Sequence, residues 1–332
     1  MVAVDIYRGE LTDEILSVAD GYKFKPYFFI TAAPEAGLNK IFSNHVERFL
    51  QKSSASENAA FFIARNDKRE IVGIAGAEWL DFDTAALNAE SGRVPFVAVV
   101  PEEYKDAAPV AYELIESCME WLGKRKVVFT NIRLAAMELP AIHAVERHGF
   151  YLVDNGFTAI YHKDSVQEYE KGGYEIRLFA EKDLPVVMDI LAGAYQTDRF
   201  HMDPEIKNED AEELYRVWVH HMCMNPKDQE WVLIAERKGT IKGFFQYEYN
   251  REFSAATGIK LFSYGPAAVV RDRTALGAYY SLLSFAINDS IMRGGIYAMT
   301  RIPFAIQPIL KLTLRLGPSF MANDLTFHHW VK

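Results

Sequence analysis

Hydrophobic and polar positions follow the same order twice along the chain, at an offset of about 170 residues. The segments 61–73 and 231–243 each run from an apolar strand pattern through a polar turn into a second apolar run, which predicts a β-hairpin in each half. Apolar residues then recur at helical spacing over about 107–123 and about 275–292, which predicts one amphipathic helix per half. Because the offset stays nearly constant, we infer a duplicated unit.

The two halves also end alike. Segment 142–162 carries a helical pattern that stops at Gly149 and leads into a strand, and segment 309–330 repeats this order around Gly317. Each half therefore predicts an α/β (α+β) domain of roughly 160 residues. We expect the domains to cover residues 1–165 and 174–332. The polar, glycine-bearing segment 166–173 has no periodicity and predicts the linker between them.

Composition and charge exclude several classes of function. The chain has 332 residues, of which 50% are hydrophobic, enough for a core in each half, and its net charge of −9 argues against a nucleic-acid partner. The acidic start has no signal-peptide pattern, and no apolar run reaches the roughly 18 residues of a membrane span. Cys118 and Cys223 lie in apolar helical segments without a CxxC or metal-ligand spacing, and there is no HExxH motif. We expect a cytoplasmic protein that binds neither membrane nor metal.

The order hairpin, strand, loop, helix, strand, helix, glycine turn and strand resembles the GCN5-related N-acetyltransferase (GNAT) fold, twice over and along nearly the whole chain. The second half is further similar to bacterial amino-sugar acetyltransferases of the TDP-fucosamine kind, through the segments 198–206, 213–221 and 326–330. The first half looks like the N-terminal half of those enzymes through the segments 26–30, 78–84 and 139–154.

The resemblance implies two tandem domains, each with a mixed, mostly antiparallel twisted sheet flanked by helices. It implies transfer of an acyl group from acetyl-CoA, or another acyl-CoA, to an amine of a small polar acceptor. An amino sugar linked to a nucleotide is the most specific form of that acceptor. A homodimer is a candidate assembly.

In that family the fourth strand diverges from the fifth, and backbone groups there bind the pantetheine arm and stabilise the oxyanion. Amides at the start of the next helix receive the pyrophosphate. In this chain the resemblance assigns cofactor binding to seven residues at the end of the strand 260–270 and just after it: Val269, Val270, Arg271, Arg273, Thr274, Gly277 and Ala278. Thr274 stands at the usual Arg/Gln position, so Arg273 is displaced by one. Tyr279 stands at a family glycine, which raises a steric objection to phosphate binding.

The corresponding stretch of the first half, residues 101–115, contains no glycine. Pro109 lies opposite Gly277 and removes an N–H donor, and three carboxylates would repel phosphate: Glu102, Glu103 and Asp106. We therefore expect the first half to be degenerate as a cofactor site and to help shape an acceptor cleft.

The second half departs from the family as well. Ile306 stands where an Asn usually contacts the cofactor, and Thr313 stands where a Tyr often protonates the leaving thiolate. A catalytically degenerate tandem-GNAT protein that only binds or scaffolds is therefore the alternative. It predicts a cofactor groove filled by side chains such as Tyr279.

Five further residues are candidates for chemistry at the acceptor side. Glu248 is the preferred general base, and Tyr264 is the alternative. Arg199 and His201, in the region that lines the acceptor site in the family, are expected to bind substrate, together with Gln246. Each has a purely structural alternative. Arg199 could pair with Asp198 or Asp203, and the strand residues could form a solvated face.

Overall fold

The structure is a computed structural model that describes residues 2–165 and 173–331. It divides into two compact units: unit 1 comprises Met1–Asn155 and Asn323–Lys332, and unit 2 comprises Gly156–Ala322. This division differs from the expected limits 1–165 and 174–332, because each tail strand crosses from the unit that precedes it into the other. The expected linker lies outside the described residues, apart from Gly173.

Unit 1 is built on a sheet with the strand order β1-β2-β3-β4-β5-β12, in which only β4 and β5 are parallel. The strands are β1 (Ala3–Tyr7), β2 (Ala59–Arg65), β3 (Ile71–Trp79), β4 (Ser91–Val99), β5 (Phe129–Ala135) and the second part of β12 (Ser319–Trp330). The helices are α1 (Asp13–Gly21), α2 (Glu35–Ala55), α3 (Asp81–Leu87), α4 (Tyr104–Lys124) and α5 (Leu139–Arg147).

Unit 2 repeats this plan with the order β6-β11-β10-β9-β8-β7, in which only β10 and β11 are parallel. The strands are β6 (Tyr151–His162), β7 (Glu175–Leu178), β8 (Glu230–Arg237), β9 (Thr240–Tyr249), β10 (Leu261–Val269) and β11 (Tyr297–Pro303). The helices are α6 (Leu184–Leu191), α7 (Asn208–Met224), α8 (Arg251–Thr257), α9 (Ala275–Met292) and α10 (Gln307–Leu314). The mixed, mostly antiparallel sheets, both hairpins and both long helices confirm the predicted fold class.

Apolar side chains hold each long helix on its sheet. In unit 2, Leu282, Leu283 and Ala286 of α9 are fully buried and pack in one cluster with Phe245 and Tyr247 of β9. In unit 1, the equivalent cluster joins α4 to the sheet, and a second cluster buries α1 and α2 on the sheet. Burial of an aliphatic side chain contributes about 1.5–3 kcal/mol, so these faces anchor the helix starts that follow β4 and β10.

The parallel strand pairs separate before they end. In unit 2 the ladder joins Leu261–Tyr264 of β10 to Tyr297–Thr300 of β11 and then stops, while β10 continues to Val269. The pairing of β10 with β9 shifts between Tyr264 and Ala267, which marks a β-bulge at the same point. In unit 1, β4 likewise pairs with β5 only over Ser91–Val94. Both units therefore contain the divergence that the family resemblance implies.

Candidate functional site

The backbone of β10 beyond the divergence is turned toward the gap that β11 leaves. The N–H of Ala267 donates to the Tyr195 hydroxyl at 3.1 Å, and that hydroxyl donates to the Ala267 carbonyl, also at 3.1 Å. The N–H of Val270 instead donates to Lys242 of β9 at 2.9 Å. Because backbone groups alternate sides along a strand, Val269 faces the gap as Ala267 does. One side chain, Tyr195, thus occupies the first pair of gap-facing groups.

Gln246 of β9 lies beneath the bulge of β10. It is buried, and its amide nitrogen donates to Glu230 at 2.9 Å. A Cβ atom at Gly265 would lie 1.8 Å from the Gln246 side-chain oxygen, so the absence of a side chain at Gly265 makes room for that oxygen. Gln246 therefore supports the strand at the bulge.

The start of α9 offers backbone amides but carries a carboxylate of its own. Ala278 donates to the Thr274 carbonyl at 3.1 Å as the first bond of the helix, so the amides of residues 275–277 have no acceptor inside it. Asp272 accepts from the hydroxyl and the amide of Thr274 at 2.5 and 2.7 Å, and from Lys242 at 3.1 Å. These bonds, the Thr274 hydroxyl first, lower the pKa of Asp272 to about 2. An anion must share this helix end with Asp272.

Two tyrosines decide how accessible the helix start is. Tyr279 is buried in the core between α9 and the sheet, and its ring lies 6.1 Å from that of Phe245. Burial raises the pKa of Tyr279 to about 12. Tyr174 donates from its hydroxyl to the Thr274 carbonyl at 2.9 Å, and a Cβ at Gly277 would meet that hydroxyl at 3.2 Å. The ring beside the glycine is therefore that of Tyr174.

The expected cofactor residues differ in how exposed they are. Arg271 and Arg273 are exposed near the start of α9, and the Arg271 guanidinium lies beside Gly193, whose Cβ would be 3.1 Å from it. Ala278 is fully buried. The structure thus gathers the expected residues around one helix end, where Ala278 offers no exposed group.

A cavity of about 210 Å³ lies between α6, α7 and the loop that joins them. Its lining residues are Met188, Leu191, Ala192, Gly193, Tyr195, His201, Glu209, Glu212, Glu213, Tyr215 and Arg216.

The Tyr195 and Tyr215 rings of this lining stack with their centres 4.2 Å apart and an interplanar angle of 6°. Because Tyr195 also contacts Ala267, the cavity is next to the gap-facing backbone of β10.

His201 lines this cavity as half of a buried pair with Asp198. Its Nδ1 lies 2.5 Å from the Asp198 carboxylate, and the two side chains are 5% and 7% exposed. Burial alone would raise the pKa of Asp198, but hydrogen bonds from His201, the Phe200 amide and Tyr215 lower it. A carboxylate only accepts, so Nδ1 donates to Asp198 and the ring is held with its Nε2 edge on the opposite side. That Nε2 has no partner among the described residues.

Acidic side chains from one face of α7 complete the lining. Glu209, Glu212, Glu213 and Arg216 are spaced at i, i+3, i+4 and i+7, so they share a face of the helix. Arg216 forms a two-pronged ion pair with Glu213 at 2.5 Å. Among the described residues, Glu209 and Glu212 have no ion-pair partner, so the cavity wall carries net negative charge.

The structure brings one of the five acceptor-side candidates to this cavity, namely His201. Glu248 lies opposite Ser263 of β10, three residues along β9 from the partner of Ala267, or about 10 Å at strand spacing. Burial and then Glu230 raise the pKa of Glu248. Tyr264 is directed to α9, where its hydroxyl lies 3.3 Å from that of Ser290, and burial raises its pKa.

Arg199 is not part of the cavity lining. Its guanidinium lies 4.3 Å from the centre of the Phe200 ring. The residues that the sequence analysis missed are Tyr195, Tyr215 and the glutamates of α7. The acidic spacing on α7 is visible in the sequence, whereas the reach of Tyr195 to Ala267, 72 residues away, is not.

In unit 1 the equivalent region is filled by side chains. The Phe96 ring of β4 packs against Phe42, His45 and Phe49 of α2 at 5.4–6.0 Å. Tyr22, which follows α1, donates 2.6 Å to the buried carboxyl of Glu138 at the start of α5. Burial raises the pKa of Glu138 to about 8, against the lowering effect of the Tyr22 hydrogen bond.

Pro109 lies inside α4. Its correspondence to Gly277 stays a prediction. Within residues 2–165 and 173–331, no three His, Cys, Asp or Glu side chains are grouped as metal ligands. No helix in that part of the chain is long and apolar enough to span a bilayer.

No protein-family model and no curated protein matches this sequence. Solved structures match it along its length. A GCN5-related N-acetyltransferase from Sphaerobacter thermophilus is 15% identical with a TM-score of 0.61, over 99% of this chain and 95% of that chain. A tandem GNAT protein from the clavulanic acid biosynthesis pathway is 13% identical with a TM-score of 0.59, over 99% of this chain and 98% of that chain.

A GCN5-related glucosamine N-acetyltransferase region of a fungal multi-domain GH3 β-N-acetylglucosaminidase is 11% identical with a TM-score of 0.64. It is similar to 99% of this chain, which spans 38% of that protein. At these identities the likeness concerns the fold. The expectation of two tandem units with the GNAT fold is confirmed, and the specific likeness to TDP-fucosamine acetyltransferases stays a prediction.

Proposed function

We propose that the protein is a CoA-dependent N-acyltransferase, with acetyl-CoA as the donor and unit 2 as the catalytic unit. The observation that carries the proposal is the divergence of β10 from β11. It turns the backbone of Ala267 and Val269 toward a gap that lies between the start of α9 and the cavity on α6 and α7. The solved structures with this fold that match the whole chain include N-acetyltransferases, which supports the same chemistry.

The residues present fit the donor in a specific way. The backbone of Val269 and, once Tyr195 moves away, of Ala267 would pair with the pantetheine arm, and the Ala267 N–H would stabilise the oxyanion. The amides of residues 275–277 and the guanidinium groups of Arg271 and Arg273 would receive the diphosphate.

The transfer itself needs no metal. The acceptor ammonium first loses one proton, directly or through water, to a base. The amine nitrogen then attacks the thioester carbonyl, a C–N bond forms, and the C–S bond breaks. The second amine proton leaves with the sulfur as the thiol of CoA. Glu248 and Tyr264 stay our sequence-based candidates for proton transfer, and the distance of Glu248 from Ala267 would require a water relay.

For the acceptor we propose an amine of a small polar molecule. The strings that resemble amino-sugar acetyltransferases support an amino sugar linked to a nucleotide as the specific version. The structural likeness to a glucosamine N-acetyltransferase region supports an amino sugar in general.

The test is the melting temperature of the protein with and without acetyl-CoA. We expect a clear increase, because a ligand that binds only the folded state stabilises it. The Arg273→Glu variant should lose that increase. Lys238→Glu, at the exposed turn between β8 and β9, is the matched control with the same change of charge. No increase at millimolar acetyl-CoA would contradict the proposal.

A second candidate function is binding or scaffolding without catalysis. It is favoured by the Tyr195 hydroxyl on Ala267 and by the Tyr174 ring over Gly277, since both lie where the donor would bind. Failure of acetyl-CoA to bind both the wild type and Tyr195→Phe would favour this candidate.

A further inference from the structure

The residues that line the cavity on α6 and α7 indicate the chemical class of the acceptor. Its polar wall includes the carboxylates of Glu209 and Glu212, which accept hydrogen bonds, and Nε2 of His201, which has no partner among the described residues. The one guanidinium in the lining, that of Arg216, is already held by Glu213. A ligand that satisfies this wall must therefore bring donors and positive charge.

His201 is an observation independent of the acidic helix face. Its side chain is 5% exposed, and Asp198 holds its Nδ1 edge in place. A buried acceptor that lacks a partner costs free energy, and most such atoms in folded proteins are satisfied by a ligand, by water or by protein. Nε2 therefore points to a polar ligand in the cavity that it lines.

Much of the remaining lining is apolar. Met188 and Leu191 of α6 and the stacked rings of Tyr195 and Tyr215 supply surface suited to a short alkyl chain. Tyr195 connects this surface to Ala267, where the acyl carbonyl would lie. One end of the ligand can thus reach the donor while the other end meets the glutamates.

We propose that this cavity binds a diamine-type acceptor, with one amino group directed to the thioester and a second ammonium held by Glu209 and Glu212. This proposal rests on the proposed function for the transfer step. One proton of the reacting ammonium goes to cavity water, the C–N bond forms, the C–S bond breaks, and the second amine proton leaves on the sulfur. The same acidic wall repels phosphate. A diamine therefore replaces, in this proposal, the nucleotide-linked amino sugar that the sequence resemblance supports.

The test is calorimetric binding of 1,4-diaminobutane to the full chain, without acetyl-CoA. We expect binding at low salt that weakens as ionic strength rises. Butylamine, which has the same chain but one ammonium, should bind about tenfold more weakly, as expected from the loss of one or two partly exposed ion pairs. Glucosamine 6-phosphate, an amine with a phosphate, should show no binding.

The variant that addresses the carboxylates is Glu209→Gln/Glu212→Gln, for which we expect about tenfold weaker binding of 1,4-diaminobutane and little change with butylamine. Asp210→Asn is the matched control, because it lies in the same turn of α7 and is outside the cavity lining. Equal affinity for the two amines, or full affinity in the double variant, would overturn the proposal. So would tighter binding of glucosamine 6-phosphate.

These outcomes are separate from the fate of the proposed function. If the diamine binds as described and acetyl-CoA does not raise the melting temperature, acyl transfer fails and the cationic ligand class stands. If acetyl-CoA binds and the diamine binds no better than butylamine, the diamine assignment fails and the transferase stands. With both bound, acetylation of 1,4-diaminobutane should show a raised KM in the double variant with little change in kcat.

Discussion

The hydroxyl of Tyr195 exchanges two hydrogen bonds of 3.1 Å with the backbone of Ala267, the first residue after the bulge of β10. This contact satisfies the backbone groups that the divergence from β11 leaves without a strand partner. It also occupies the groups that a thioester would use. One side chain from the loop between α6 and α7 thus lies in the gap and holds these groups.

Removal of this hydroxyl should open the gap. We expect Tyr195→Phe to bind acetyl-CoA about five- to tenfold more tightly, since the donor no longer competes with a hydrogen bond worth about 1 kcal/mol. The unliganded variant should be less stable by roughly 1–2 kcal/mol, because Ala267 loses its partner. Isothermal titration and urea unfolding measure the two effects.

Tyr249→Phe, on β9, is the control for loss of a tyrosine hydroxyl in the same unit. It should leave the affinity for acetyl-CoA unchanged. Weaker binding of acetyl-CoA by Tyr195→Phe would show that the hydroxyl assists the donor, and the competition argument would be wrong.

The carboxylate at the start of α9 should weaken binding of the diphosphate. Asp272→Asn keeps an acceptor for Thr274 but removes the negative charge, so we expect the Kd for acetyl-CoA to fall about three- to tenfold at low salt. The gain should shrink as ionic strength rises. Asp13→Asn, at the start of α1 in unit 1, changes charge at a helix start and should have no effect on titration with acetyl-CoA.

Glu138 should make the stability of the protein depend on pH. Its pKa is raised from 4.5 to about 8 by burial, so the folded state holds the proton more tightly than the unfolded state. This contribution is fully present below pH 4.5 and is lost as pH rises toward 8. Glu138→Gln has no titrating carboxyl and should not lose stability as pH rises. Above pH 8 its free energy of unfolding should therefore increase relative to that of the wild type by at most on the order of 3–5 kcal/mol.

Urea unfolding of both proteins between pH 5 and 9 measures that difference. Glu113→Gln, an exposed position on α4, should follow the wild type at every pH. If the free energy of unfolding depends on pH in the same way in Glu138→Gln and the wild type, the raised pKa of Glu138 would be wrong.

The bulge of β10 should depend on the missing side chain at Gly265. Gly265→Ala places a Cβ against the Gln246 oxygen and forces Gln246 away from Glu230, which should cost about 1–2 kcal/mol. In a Gln246→Ala background the same change should cost much less, and a double-mutant cycle measures the coupling. Gly123→Ala, in α4 with open space around it, should stabilise by about 0.5–1 kcal/mol.

Periodicity was enough to predict both hairpins and both long helices, since an amphipathic pattern at helical spacing fits few other structures. The duplicated order also located the divergent strand pair through its resemblance to a known fold. The division into units was not visible, because the pairing of β12 with β5 joins residues nearly 200 positions apart. Local patterns carry no information on such a pairing.

The candidate site was predictable only where its residues are close together in the sequence. The residues around the start of α9 were found because they are consecutive, and His201 was found within a short motif. The role of Asp198 was missed because a carboxylate three residues before a histidine equally suggests a surface ion pair. The steric objection at Tyr279 was misplaced, since only the structure shows which way the ring points and that Tyr174 lies beside Gly277 instead.

The passage of the tail strands from one unit into the other has a consequence for biosynthesis. Residues 324–330, which pair with β5 in the sheet of unit 1, leave the ribosome only after unit 2 has been made. Until then the edge of β5 is bare, and a bare edge invites pairing with foreign strands. The half that is translated first is thus the half that finishes folding last, and a nascent chain would need protection at Phe129–Ala135.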